Sequence, residues 1–154
     1  MGAPPGSRHP PLMKRGTTLV ELAAVLFLLA AVLSLLLPAA ARARDRMAVV
    51  GAREEVVALL ARARGEALTR GGAVLAVERG GSTIRVEAGG VVRAEVDLGR
   101  RYGVLLELSG SGGEARLSFD ALGIGRAASK TFRFQRERAS ASVVVSAYGR
   151  VVRR

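Results

Sequence analysis

Glu21 is a carboxylate in a costly place. It closes the run Lys14-Arg15-Gly16-Thr17-Thr18-Leu19-Val20-Glu21, and the 20 residues from Leu22 to Ala41 that follow carry no charge. As a helix rising ~1.5 Å per residue, that stretch is ~30 Å long, one bilayer hydrocarbon core. A carboxylate among apolar helices must meet a cation or take up a proton. Glu21 therefore reads as a group with a partner. A bland alternative is a hydrated carboxylate at the headgroup level, and position alone does not separate the two.

Chemistry of other kinds finds few residues. The chain has no Cys, so disulfides and thiolate sites do not arise. Its one histidine, His9, precedes the apolar run, which leaves no imidazole base or His-ligated metal beyond it. Gly123-Ile124-Gly125-Arg126-Ala127-Ala128 matches G-x-G-x-x-A, but an alternating stretch follows it where a nucleotide fold needs a helix, so a turn is expected. Gly110–Gly113 lacks the Lys-Ser/Thr of a phosphate loop and reads as a hairpin loop. Asp97, Glu107, Glu114 and Asp120 have no calcium-loop spacing. The expectation is a non-enzyme with no cofactor and no metal site.

The length of 154 residues allows one domain plus an anchor. Residues 1–13, rich in Pro and Gly, read as disordered. From Thr17 to about Leu68 the pattern is one long helix in two parts, with Pro38 expected to kink or unwind it. In its second part Val50, Val56, Val57, Leu60, Ala63 and Ala67 form an apolar face against Arg53, Glu54, Arg62 and Glu66. Past Arg70-Gly71-Gly72 the period becomes 2. Candidate strands are 73–78, 83–87, 91–98, 104–108, 115–119, 131–136 and 142–147, the last extending to 152, with glycine turns at Gly80-Gly81 and Gly89-Gly90. Val92, Ala94, Val96 and Leu98 alternate with Arg93, Glu95 and Asp97, which marks a sheet with one wet face. The amphipathic half-helix is the natural cover for the other face. The expected architecture is α+β, a long N-terminal transmembrane/amphipathic helix packed on antiparallel β-sheets.

The basic leader ending in Gly16, the apolar helix and Glu21 together resemble the type IV pilin and pseudopilin family. The resemblance implies cleavage by a prepilin peptidase between Gly16 and Thr17, which makes Glu21 the fifth residue of the mature chain. It also implies that Glu21 pairs with the new α-amine of a neighbouring subunit and sets filament register. Thr17 departs from the Phe or Met usual at the mature N-terminus, which bears on its N-methylation more than on the cut. Phe119, Gly123, Gly125 and the run Val143 to Val151 are similar to GspH/FimT-like minor pseudopilins. The implied organisation is 1–16 basic leader, 17–41 transmembrane helix, 42–70 amphipathic helix and 71–154 antiparallel β domain. Implied partners are other pilin or pseudopilin subunits, the prepilin peptidase and the inner membrane. The C-terminal domain is then extracytoplasmic, and the N-terminus stays in the cytoplasm although Arg42, Arg44 and Arg46 follow the helix.

Formal net charge is +11 from 24 Lys and Arg against 13 acids; removing Arg8, Lys14 and Arg15 leaves 21 − 13 = +8. Just two of the 24 are Lys, a skew better explained by coding bias than by anion binding. Arg150, Arg153 and Arg154 nonetheless crowd the last five residues. Some FimT-like minor pilins bind DNA through a Gly-Arg-x-Arg tail; here Val152 occupies the second Arg position, and one residue of shift in a strand changes the face. Arg133, Gln135, Arg136 and Arg138 on a nearby strand would extend a positive stripe. The competing reading is a solvated edge strand whose charges discourage pairing.

Three functions follow: a minor pseudopilin of a type II secretion-like pseudopilus, a FimT-like minor pilin binding DNA during uptake, or a secreted β-sheet module cleaved after Ala39-Ala40-Ala41. An uncleaved signal-anchor helix is a further N-terminal option. Gly16→Val is expected to block processing, seen as a precursor-sized band on an immunoblot; a band of mature size would refute the leader assignment.

Overall fold

The computed structural model describes residues 18–78, 81–109, 115–126 and 129–154. The expected leader with Gly16, and Thr17, Gly80, the Gly110–Gly113 run and the Ala127-Ala128 pair, lie outside the described residues. The chain forms two units, residues 1–38 and 39–154.

Helix α1 runs from Leu19 to Arg70. Thr18 caps it: its carbonyl accepts the Leu22 N–H at 3.1 Å and its Oγ1 accepts the Glu21 N–H at 3.2 Å. The helix continues through Pro38 with no unwound residue, so of the two effects expected of this proline local unwinding does not occur. A proline withdraws one N–H, and the turns on either side keep theirs. Ser34 Oγ donates to the Ala31 carbonyl at 2.7 Å in the turn before it.

In the second unit α1 buries Val49, Ala52, Val56, Leu59, Leu60, Ala63 and Ala67. These recur at three and four residues, the period of one helical face. The expected face was nearly right but rotated: Val50 is exposed, whereas Val49, Ala52 and Leu59 are inside. Gly71, at φ +79°, takes the left-handed conformation that ends the helix without Cβ strain.

Two four-stranded antiparallel sheets follow. The first is built from β1 (Gly72–Val77), β2 (Thr83–Ala88), β3 (Val91–Asp97) and β5 (Ala115–Asp120), in the order β3-β2-β1-β5. The second is built from β4 (Leu105–Leu108), β6 (Lys130–Arg136), β7 (Ala139–Val145) and β8 (Val151–Arg153), in the order β4-β6-β7-β8. Leu75, Ile84, Val86 and Leu117 of one sheet share a single core with Phe132, Phe134, Val143 and Val145 of the other and with the α1 stripe. The α+β architecture expected from sequence is the one observed.

Three local expectations change. The pairing of β2 with β3 shifts between Val86 and Glu87, so Ala94 sits opposite Val86 but Val92 sits opposite Glu87. Arg93 is the extra residue of this bulge, and Val92 turns outward and is exposed, breaking the alternation read from sequence. Leu98–Tyr102 is a short helix, α2, instead of the end of a strand. Asp97 caps it by accepting the Arg100 N–H at 3.0 Å, and Gly103 at φ +64° closes it. Finally, the last strand does not run on to Val152. Residues 146–150 reverse the chain, Gly149 N–H donating to the Ser146 carbonyl at 2.8 Å, so β8 returns antiparallel beside β7.

Phe132 is fully buried in that shared core. Phe132→Ala is expected to cost about 3–5 kcal/mol, read from chemical denaturation of the full chain in detergent. Arg133→Ala, one residue along on the wet face, is expected to change stability by less than about 0.5 kcal/mol.

Candidate functional site

Every residue of the apolar part of α1 is exposed, including Leu22, Leu26, Phe27, Leu29, Leu33, Leu36 and Leu37. The helix is long and apolar enough to cross a membrane, and its most apolar window has no residue buried within the chain. An uncovered apolar cylinder of this length is stable only in lipid or against other helices. Glu21 stands exposed in its first turn, where the amide dipoles favour a negative group. Thr18-Leu19-Val20-Glu21 has the spacing of a capping box, the local sequence signal for this helix start. Thr18 supplies its half of that box by accepting the Glu21 N–H.

The second cluster gathers the C-terminal glycines. Arg64 of α1 donates from Nε to the Gly123 carbonyl at 3.0 Å and from Nη2 to the Gly149 carbonyl at 2.9 Å. Gly125 bridges to Phe119, and a Cβ on Gly125 would lie 2.8 Å from the Gly149 nitrogen. The Gly123-Ile124-Gly125 run is therefore the expected turn, and its glycines permit a close backbone crossing. Asp120 organises this turn by accepting the Leu122 and Ile124 N–H groups, each at 3.0 Å, and pairing with Arg126 at 3.1 Å. The Ile124 N–H, with Arg126 and the Leu122 N–H, holds its carboxyl below the ordinary range against a smaller opposing effect of burial. Nothing in the spacing of Arg64 marked it; its role needs the turns brought to it.

The three tail arginines do not form one surface. Arg153 pairs with Glu54 of α1 at 3.2 Å. It lies opposite Val143, on the inward face of its sheet, whereas Arg154 exchanges two backbone hydrogen bonds with Ser142, on the other face. Arg150 lies in the turn, its N–H donating to Ser146 Oγ at 3.0 Å. The terminus is hydrogen-bonded to its last residue. The proposed stripe is interrupted too: Arg133 faces Glu107 at 3.8 Å, and Arg136 turns inward to Asp45 at 2.9 Å. Burial pulls the Glu54 carboxyl upward, but hydrogen bonds from Arg153 and Arg53 and their charges outweigh it, leaving the pKa below 4.5. On α2, burial and then a hydrogen bond to Glu55 raise the Tyr102 phenol, which donates to Glu55 Oε2 at 3.0 Å.

A membrane-length apolar helix, continuing under two antiparallel sheets that share its inner stripe, defines a pilin-like subunit. Residues 52–149 match the family of the type II transport protein GspH, and the chain belongs to that family, a GspH/FimT-like minor pseudopilin. Among solved structures it is similar to the type IV minor pilin FimU of Pseudomonas aeruginosa, with a TM-score of 0.52 at 20% identity over 68% of this chain and 90% of that one, a likeness of fold. Comparison with curated protein sequences finds no match. The family match begins at Ala52 and ends at Gly149, so Glu21, Arg150, Arg153 and Arg154 lie outside it.

Because the folded-state pKa of Glu54 is depressed, its tie to β8 is fully present above the ordinary carboxylate range and is lost as pH falls through the folded value. Amide-exchange protection of β8 is expected to drop over that interval. Glu54→Gln should start lower and lose the pH step; an unchanged step would assign it to another carboxylate.

Proposed function

We propose that this chain is a minor pseudopilin of a type II secretion-like pseudopilus, a non-enzymatic subunit cut after Gly16 by a prepilin peptidase. Residues 17–41 anchor it in the inner membrane with residues 71–154 outside the cytoplasm, and neighbouring pilin-like subunits cover the helix in the filament. Cleavage gives Thr17 a new α-amine, a substrate for N-methylation. The Glu21 carboxylate of one subunit neutralises the amine of the next and fixes their axial offset. The observation that carries this reading is the apolar helix without cover in its own chain, with one carboxylate in its first turn.

A type IV pilus is the second host, favoured by the likeness to FimU, itself a type IV minor pilin. The DNA-uptake function of the tail draws less support, because Arg153 is taken by Glu54 and the three arginines are divided between faces. A β-module released after Ala41 draws none from the family, whose members are assembly subunits.

Glu21→Ala is expected to leave insertion and processing intact and to lower filament incorporation by roughly tenfold or more, as for a buried ion pair stripped of one member. Glu21→Gln separates the two roles, since Gln preserves a capping box but carries no charge. Incorporation of the Gln variant at the parental amount, measured in sheared filaments, would reduce Glu21 to a helix cap.

A further inference from the structure

Arg42 directly follows Ala41, the last residue of the uncharged run, and Arg44 and Arg46 come within the next four residues. Arg42, Asp45 and Arg46, spaced three and four apart, share a helix face. That face lines one side of an open groove of about 240 Å³, and Glu137, Arg138 and Ala139 at the β6–β7 turn line the other. At ~30 Å³ per water, the space admits a phosphodiester with part of its hydration.

The acids of the groove do not balance its arginines. Asp45 is taken by Arg136 at 2.9 Å, and Arg136 also donates to the Tyr102 carbonyl, which pins the end of β6 to α1. With that pair neutral, Arg42, Arg46 and Arg138 face Glu137 alone, 3 − 1 = +2, and none of the three arginines has an ion-pair partner among the described residues. Glu137 holds the turn at φ +50°, a left-handed conformation uncommon for a residue with a Cβ.

Depth selects the ligand. Helical rise places Arg42 to Arg46 ~1.5–8 Å beyond the end of the apolar run. The headgroup layer occupies roughly 5–8 Å on each side of the hydrocarbon core. We propose that the groove between Arg42, Arg46 and Arg138 binds the phosphodiester of an anionic phospholipid in the leaflet where the helix emerges. The inference rests on Leu22–Ala41 spanning the bilayer. A docked lipid would hold the subunit at fixed depth until filament neighbours replace the membrane.

The test uses the full chain in phosphatidylcholine nanodiscs carrying spin-labelled phosphatidylglycerol or spin-labelled phosphatidylcholine, with the motionally restricted fraction read by electron paramagnetic resonance. Recovery of the chain in the membrane pellet after carbonate extraction comes first; a chain that washes off refutes the bilayer span, and the lipid site falls with it. With the chain integrated, phosphatidylglycerol should be preferred by roughly fivefold. Changing Arg42, Arg46 and Arg138 together to Gln should abolish the preference, while Lys14→Gln with Arg15→Gln should preserve it. Equal association of the two lipids, or a preference that survives the triple change, overturns the proposal while leaving the span intact. Displacement by inorganic phosphate at constant ionic strength would instead assign a free-anion site. Loss of filament incorporation by the triple variant with lipid preference unchanged would assign the arginines to an acidic neighbour. Both results overturn the lipid site.

Discussion

The inner stripe of α1 is the surface on which the C-terminal unit depends. Val49, Ala52, Val56, Leu59, Leu60, Ala63 and Ala67 supply a continuous apolar ridge, and the inner faces of both sheets close on it in one core. Fully burying a Val or Leu is worth roughly 1.5–3 kcal/mol, so removing the ridge would expose both sheets together. The small residues matter as much as the large ones. Ala52, Ala63 and Ala67 are all fully buried, and side chains of their size let a sheet approach the helix closely.

Polar ties then fix where each sheet edge lies along the ridge. Arg62 donates to the Arg93 carbonyl at 2.9 Å, satisfying backbone at the β-bulge of the first sheet. Arg64 holds the two glycine turns, Arg136 holds the β6 end to Asp45, and Arg153 holds β8 to Glu54. These are uses suited to arginine, whose planar fork reaches two acceptors at once where an ammonium is a point charge. A basic composition that resembles an anion-binding surface is thus partly spent on the chain's own carbonyls and carboxylates. Among the described residues, the arginines left without an ion pair include Arg42, Arg46 and Arg138 of the groove.

The first unit has no comparable internal economy. Its capped helix satisfies its own backbone hydrogen bonds, as a segment in lipid must. Its side chains have no cover in the chain, so lipid or other helices must provide it. One molecule therefore contains a segment that is complete only in an environment and a unit that carries its own core. That division suits a subunit stored in a membrane and transferred into a filament.

Sequence by itself determined the long helix, the change from period 3.6 to period 2 after Gly72, and the edge carboxylate, because each is written in residues near one another along the chain. It also pointed to the class, since Lys14-Arg15-Gly16, Glu21 and the apolar run are close together along the chain, and Phe119, Gly123 and Gly125 lie in a short span. Periodicity erred where a single residue changes phase: the bulge at Arg93 sent Val92 outward, and the turn at 146–150 folded an apparent long strand into a hairpin. Neither event alters composition, only pairing. Tertiary structure alone decided that Arg153 meets Glu54, 99 positions away, that Arg64 clamps glycines 59 and 85 positions away, and that Arg138 joins Arg42 and Arg46. Such contacts depend on the register of strands and the rotation of a helix, quantities that no local run of residues specifies.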